Sequence, residues 1–466
     1  MSAEPLRALL VSYSFPPVGG AGVQRVAKLV KYLPHHGVRP AVLTVANPSV
    51  PVRDESLLRD VPCGVEVTRA WSLEPGYAAK RAAWRARASQ TPPRRVAPSG
   101  RSRPNAAALR RTSAREIATH AARIATHLAR DLLFPDPQVL WQPGAQAALA
   151  WRIASRRDDV VLVSAPPFSQ FLLAPLARAG GVGVVLDYRD EWSTLRSAYE
   201  MSASRLSGLL GGALEASMLR RADRVVTATE EFRAALLERF PFVDPGRVVA
   251  IPNGFDPDDF PADDAAPPTD RFVVTYAGTI FSLTSVRGLL GAVRRLHDRA
   301  PDRARRLRLR FVGRIVETEL DAFEAVEGLG VERVGYVPHA EVLRELARSH
   351  MTLCVLDDVP GTERIYPAKV FELMRLGRPV LTLAPSGSAL ARLAERHRLG
   401  PLAQPRDEEA IALALQRSLE NFDRGDHAIE PWRNASEIGR YDRRALAGEF
   451  AEILKTAAAD ASRRGS

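Results

Sequence analysis

Short runs rich in Val and Leu recur along the first half of this chain, at Leu6–Val11, Arg39–Val45, Val65–Ala70, Val160–Ser164, Gly183–Asp187, Arg224–Ala228 and Val248–Ile251, with helical patterns between them. A strand apolar on both faces must be covered on both faces. Strands alternating with helices therefore predict a parallel sheet with helices on either side. The pattern breaks at Pro257–Thr269, a polar tract rich in turn residues, and resumes at Val273–Ala277, Leu307–Val312, Val331–Tyr336, Met351–Leu356 and Val380–Leu383. Such a tract reads as a linker. The expectation is α/β architecture with two Rossmann-like domains, 1–262 and 263–434, facing one cleft. A last helical pattern, Arg443–Ala458, falls in the segment 435–466 and could pack on either domain.

The 466 residues are enough for two ordinary cores. Two cysteines, Cys63 and Cys354, build no disulfide framework, and Cys354 lies in an apolar run. A strand-like run begins almost at once, without a basic region and cleavage site before it. No apolar run approaches the roughly 18 residues that span a bilayer. A cytoplasmic setting without secretion or a transmembrane anchor is expected.

The net charge of +11 is a local property, because Ala78–Arg130 holds 13 Lys and Arg against one acid and leaves the remainder close to neutral. Ala78–Gly100 has little apolar pattern and reads as loop. From Arg115 to Leu132 an apolar stripe of Ile117, Ala121, Ile124, Leu128 and Leu132 runs beside Arg115, Arg123 and Arg130. Such a helix fits two roles: resting on an anionic membrane surface, peripheral to the inner face of the cell membrane, or packing its stripe on the parent domain. Aromatic residues are nearly absent from the insertion, so nucleic acid is not an expected partner.

Two loops carry the chemistry. After the first strand, Ser12-Tyr-Ser-Phe-Pro-Pro-Val-Gly19-Gly20-Ala21-Gly22 leads into a helix with Val23, Val26, Ala27, Val30 and Leu33 on one face. Glycines at 19, 20 and 22 allow close backbone approach to a ligand, and the helix start favours an anion. Gln24 and Arg25 follow and could meet an acceptor. In the second half, Tyr366-Pro-Ala-Lys369-Val-Phe-Glu372-Leu-Met-Arg-Leu-Gly377 places an ammonium and a carboxylate three apart on a short helix. That pair suits a nucleotide sugar, with Lys369 on the diphosphate and Glu372 on the ribose diol. An ammonium about 4 Å from a phosphate in a partly dry cleft gains on the order of 4 kcal/mol before desolvation.

Taken with Asp187-Tyr-Arg-Asp-Glu-Trp192, Ala222-Asp-Arg-Val-Val226 and Ile251-Pro-Asn-Gly-Phe-Asp256, these stretches resemble the retaining GT-B glycosyltransferases of family 4, also called group 1, over most of the chain. The resemblance implies a last helix crossing back to the N-terminal domain and metal-independent transfer from a nucleoside-diphosphate sugar to an acceptor hydroxyl, with retention and no cofactor. The acceptor class would be a sugar, a lipid-linked acceptor or a small molecule, in polysaccharide, glycolipid or natural-product synthesis. Gly20 and Gly22 would admit donor phosphate or acceptor. Asp190, at the carboxyl end of a strand, would orient or deprotonate the acceptor hydroxyl. Arg189, where many relatives have a cleft histidine, would contact anions, and Trp192 would either stack on a sugar or fill the core.

The chain departs from that family at two places. Eight residues before Glu372, where many members have a first glutamate, stands Arg364, so Glu363 takes the sugar contact by a one-residue shift or another group does. After Gly278 the usual Arg and Lys are replaced by Thr279 and Thr284, leaving Arg287 or Arg314 to supply the second cation. The acidic pairs Asp258-Asp259 and Asp357-Asp358 read as solvated turns, and His339 reads as a helix-start residue; no metal site is expected. These departures also keep open a catalytically silent GT-B scaffold, or an epimerase acting on the nucleotide sugar itself. A dehydrogenase is poorly supported, because the glycine spacing is not Gly-x-Gly-x-x-Gly.

Overall fold

The structure is a computed structural model that describes residues 4–50, 52–80, 133–192, 205–260, 266–425 and 435–465. Nearly all of the basic insertion, including its Arg115–Leu132 helix pattern, lies outside the described residues. The first sheet holds β1 (Leu6–Val11), β2 (Val38–Val45), β3 (Glu66–Ala70), β4 (Val160–Ala165), β5 (Gly183–Tyr188), β6 (Arg224–Thr227) and β7 (Val248–Ala250). The second holds β8 (Phe272–Ala277), β9 (Leu307–Val312), β10 (Val331–Val334), β11 (Met351–Val355), β12 (Val380–Leu383) and β13 (Leu402–Ala403). Four helices matter for the site: α1 (Ala21–Tyr32), α2 (His339–Ala347), α3 (Lys369–Leu376) and α4 (Arg443–Gly465).

The strand orders are β3-β2-β1-β4-β5-β6-β7 and β10-β9-β8-β11-β12-β13. All pairings are parallel; Leu9 of β1, for example, is flanked by Ala41 of β2 and Val161 of β4. In β1, Leu9 and Val11 enter one apolar cluster while Ala8 and Leu10 enter another. The second sheet repeats this, with Leu353 and Val355 of β11 on one face and Cys354 on the other. Alternate residues thus feed opposite cores, which is why the strands read as unbroken apolar runs. Cys354 is a buried core thiol whose pKa burial pushes up to about 12.

The last helix does cross back. Leu446, Phe450, Ala451 and Leu454 of α4 pack with Leu10, Val26, Val42 and Val185 of the first domain. Burying Phe450 and Leu454 contributes about 1.5–3 kcal/mol each. Gly183 opens β5 beneath this helix, where an added Cβ would lie 2.8 Å from the Ala457 carbonyl oxygen. Any larger residue there would lift α4 off the sheet.

In each sheet the strand order reverses once, between β1 and β4 and between β8 and β11. Ligands of open parallel sheets collect outside the carboxyl ends of the strands at such reversals. The glycine loop follows β1, Gly278 follows β8, and α3 follows β11.

Candidate functional site

The glycine loop is fixed from behind by the segment 52–54. Gly19 N–H donates to the Val52 carbonyl (3.1 Å), Asp54 N–H donates to Pro17 (2.8 Å), and Val18 bridges Arg53. A Cβ on Gly19 would lie 2.7 Å from Val52 Cγ1, so this glycine is required by close approach. Gly20 has φ 103° and caps α1 from an exposed position with open space at its missing Cβ. A side chain would strain that backbone. The cap supplies no side-chain hydrogen bond and the first turn of α1 holds no acid, so its amide dipoles remain available to an anion.

Arg189 closes β5 and reaches back to the loop. Its Nη1 donates to the Gly22 carbonyl, its Nη2 to Pro166, and its Nε to Ala165 (3.3 Å). The guanidinium therefore ties the strand end to the glycine loop, and burial holds its pKa down. The neighbouring Asp190 takes no hydrogen bond from the described residues. Burial raises its carboxyl pKa; Arg189 and Arg25 oppose the rise and Asp187 adds to it.

Arg25 is a strut. Its guanidinium meets both Asp187 oxygens (3.0–3.2 Å) and donates to the Ile251 and Pro252 carbonyls, both at 2.9 Å, and its face lies over the Phe450 ring. Those bonds join α1, β5, the loop after β7 and α4. Arg25 thus has no donors directed at an acceptor, and Gln24 beside it is buried. Trp192 is a correction: it is 2% exposed and stacks on Phe168 (centroids 4.9 Å apart), filling the core instead of facing a sugar.

One turn further along α1, the buried Lys28 ammonium lies 2.7 Å from each of Asp60, Asp256 and Asp259. Lys31 joins Asp256 (2.8 Å) and Asp258 (2.9 Å), and Tyr32 donates to Asp256 (2.5 Å). Among the described residues, Asp60, Asp256 and Asp259 bring carboxylate oxygens within 4.8 Å of one another, close enough to share a metal ion. Lys28 already supplies the cation at that point. The cluster does not fit a metal while Lys28 is present, and it pins the tract between the two sheets to α1.

The C-terminal side is built differently. Lys369 is the first residue of α3, where the helix dipole disfavours a cation. It has no carboxylate partner among the described residues; its Nζ instead lies over the Tyr276 ring, 3.8 Å from the centroid. The ammonium is so close to Gly278 that a Cβ there would fall 2.6 Å from Nζ, and Gly278 also takes φ 133°. Gly313, at the end of β9, packs against the Gly278 backbone with the same φ. Two glycine strand ends, an ammonium and a helix N-terminus converge, an arrangement suited to an anion.

Glu372 lies one turn along α3. Its Oε1 accepts from His339 Nε2 at 3.0 Å. Burial works against the carboxylate, but His339, Arg443 and Lys28 together hold its pKa below the ordinary value. His339 does begin a helix, α2, and it also contacts Glu372, a role that the sequence pattern does not show. The remaining cation candidates separate. Arg287 binds Asp321 (2.5 and 2.9 Å) and the Thr318 carbonyl at the surface, whereas Arg314, just beyond Gly313, is exposed and has no side-chain partner among the described residues.

Glu363 is half-exposed; it accepts from Gly361 N–H (2.8 Å) and pairs with Arg364. Arg364 also reaches across the crevice to Glu191 (2.8 Å), and its carbonyl accepts from Thr229 of the first domain (2.6 Å). Tyr336 reaches toward Asp54 at 3.4 Å beside Gly19. The crevice is therefore bridged at both rims.

Sequence comparisons agree with this geometry. The profile described as Glycosyltransferase Family 4 matches residues 97–259 and that described as Glycosyl transferases group 1 matches residues 271–421. A D-inositol 3-phosphate glycosyltransferase from Stackebrandtia nassauensis is 29% identical over 214 residues, covering 44% of this chain and 47% of that protein. Sucrose-phosphate synthase from Thermosynechococcus elongatus shares the fold with a TM-score of 0.60 at 15% identity, over 97% of this chain and 98% of that one. HepE from Anabaena, solved with UDP and glucose, gives 0.59 at 15% identity over 97% and 99%. With two parallel-sheet domains, a crossing last helix and both halves of the chain matched, this protein belongs to the family 4, or group 1, glycosyltransferases of GT-B fold.

Proposed function

We propose that the protein transfers a sugar from a nucleoside-diphosphate sugar to an acceptor hydroxyl with retention, without a metal. The observation that carries this reading is Lys369: an ammonium with no carboxylate partner among the described residues, held over Tyr276 at a helix start between two glycine strand ends. The diphosphate would lie there, with Arg314 as the second cation and Glu372 on the ribose. The solved relative that carries UDP and glucose supports a uridine nucleotide as the first donor to try.

In the reaction, the bond from the anomeric carbon to the diphosphate oxygen breaks and the acceptor oxygen bonds on the same face. The acceptor proton leaves toward Asp190. Lys369 and the α3 amides take the charge that develops on the departing diphosphate, and stabilising that charge contributes most of the acceleration in sites of this kind. Closure of the crevice would exclude water that otherwise hydrolyses the donor. Asp190 suits the proton-accepting role because burial raises its pKa and so makes its ionised carboxylate a stronger base.

A nucleotide-sugar panel screened for thermal stabilisation tests the reading, since a ligand of the native state raises stability by mass action. The expected result is stabilisation by one diphosphate sugar, lost in Lys369→Ala. An unchanged response in that variant, or full transfer activity at limiting donor, would remove the assignment.

Residues 78–132 are proposed to rest on an anionic leaflet, placing the protein peripherally on the inner face of the cell membrane. Trp71 and Leu73, each 72% exposed, lie just before this stretch. Cosedimentation with phosphatidylserine vesicles that fades with salt is the expected result; none at low salt would leave the insertion to pack on its own domain. No helix among the described residues is long and apolar enough to cross a membrane.

A further inference from the structure

His339 and Glu372 come from two helices that both start near the crevice, α2 after Pro338 and α3 after Ala368. Neither helix start is a favourable place for a cation, yet the imidazole sits there with its Nε2 3.0 Å from Glu372 Oε1. The two side chains are 18% and 19% exposed, so the pair borders the crevice and is not sealed in the core. Glu372 Oε2 takes no hydrogen bond from the described residues. One carboxylate oxygen is thus fixed by the protein and the other is left for a ligand.

We propose that His339 is a positioning residue for donor recognition: it fixes Glu372 so that the free oxygen meets the ribose diol, and its proton strengthens that grip. The inference rests on the donor reading of Glu372 above. Four charged groups decide the sign. Glu372 faces the imidazole from α3 and Asp259 from the tract after β7, while Lys28 of α1 opposes them. Arg443, at the start of α4, acts on Glu372. Burial is the largest single influence and disfavours the imidazolium, but Glu372 and Asp259 together outweigh burial and Lys28, and the pKa of His339 stands above its ordinary value. Glu372 is held below its own, so it stays ionised across the neutral range.

The consequence is a directional pH dependence. Below the raised pKa the imidazolium holds Glu372 through a charge-assisted bond, and as pH rises through it the bond keeps its geometry but loses its charge. Donor affinity should fall over that interval. His339→Gln keeps a donor without the charge, so its affinity should match that of the deprotonated wild type and carry no pH dependence beyond the nucleotide's own ionisation. His339→Ala loses both, so nucleotide affinity should fall about tenfold below the raised pKa and by less above it, and lie below that of His339→Gln throughout. In turnover the loss should appear in the donor KM, with kcat changed by less than about twofold.

The test is a calorimetric titration of UDP, with GDP and ADP alongside, into the full chain from about pH 6 to about pH 9. Wild type, His339→Gln, His339→Ala and Glu372→Gln are compared, and the nucleotide's own phosphate ionisation is common to all four. The proposal expects wild-type affinity to fall with pH relative to His339→Gln, whose profile follows the nucleotide's own ionisation alone, and partial rescue of His339→Ala by Gln. It is overturned if Glu372→Gln weakens binding while His339→Ala does not, or if His339→Gln keeps the wild-type pH dependence. Equal binding by Glu372→Gln and wild type, or no binding of any of the three nucleotides, would instead bring down the donor reading and this proposal with it.

Discussion

On the N-terminal side of the crevice Lys28 touches three carboxylates and Arg25 is bound to Asp187 and two carbonyls, while on the C-terminal side Lys369 meets only an aromatic face and Arg314 meets nothing among the described residues. Both halves carry cations, yet their partners set their use. A cation surrounded by carboxylates holds elements together, because removing it strands buried charge. A cation left unpaired at a helix start adds little to stability and waits for an anion. Arg189 belongs with the first kind, since its donors go to backbone carbonyls of the glycine loop.

Five substitutions probe this contrast, the largest effect first. Lys28→Met should cost about 3–5 kcal/mol in urea unfolding, because three buried carboxylates lose the buried cation they share and keep only Lys31 and Arg59, which are more exposed. Lys28 is first among the cations that hold the Asp256 carboxyl below its ordinary value, so the deficit should be full above the ordinary carboxyl range and shrink as pH falls below it; a deficit under about 1 kcal/mol near neutral pH would mean the cluster is not a pin. Lys369→Ala should reverse the pattern, with transfer reduced about 10²–10³-fold and stability changed by less than about 0.5 kcal/mol.

Asp190→Asn should reduce turnover about 10²-fold and also stabilise the fold near neutral pH. The carboxyl of Asp190 is raised in the folded chain, so the native state binds a proton more tightly than the unfolded chain does. Stability is therefore lost as pH climbs from the ordinary carboxyl range through the raised value, and Asn removes that loss. A variant with wild-type turnover would take Asp190 out of the chemistry. The smallest effect compares Arg314→Ala, expected to weaken donor binding about tenfold, with Arg287→Ala, expected to change it less than about twofold. The reverse ranking would mean that Arg287 leaves Asp321 to reach the diphosphate.

Much of the architecture was legible because continuous Val and Leu runs have few other uses. The strands lie within about two residues of the apolar runs, apart from β13, whose two residues carry no periodicity to detect. Lys369 and Glu372 were legible as local spacing on one helix. His339 was not, since its partner is 33 positions away on another helix and only the folded chain brings them together. Trp192 follows a strand end, where an aromatic ring can turn inward or outward, and the Phe168 face drew it inward. The Lys28 cluster left a faint trace, two lysines three apart on a helix and four acids clustered at 60 and 256–259, but sequence alone does not bring such segments together. Glu363 was a candidate by its one-residue offset from the family's first glutamate and Arg287 as a substitute for the family's missing cations; each has an internal partner, Arg364 and Asp321.

A crystal structure with UDP bound tests the central assignment most directly. The diphosphate should lie within about 2.7–3.2 Å of Lys369 Nζ, at the start of α3, with a ribose hydroxyl on Glu372. A diphosphate held elsewhere, with Lys369 still resting on Tyr276, would contradict the assignment.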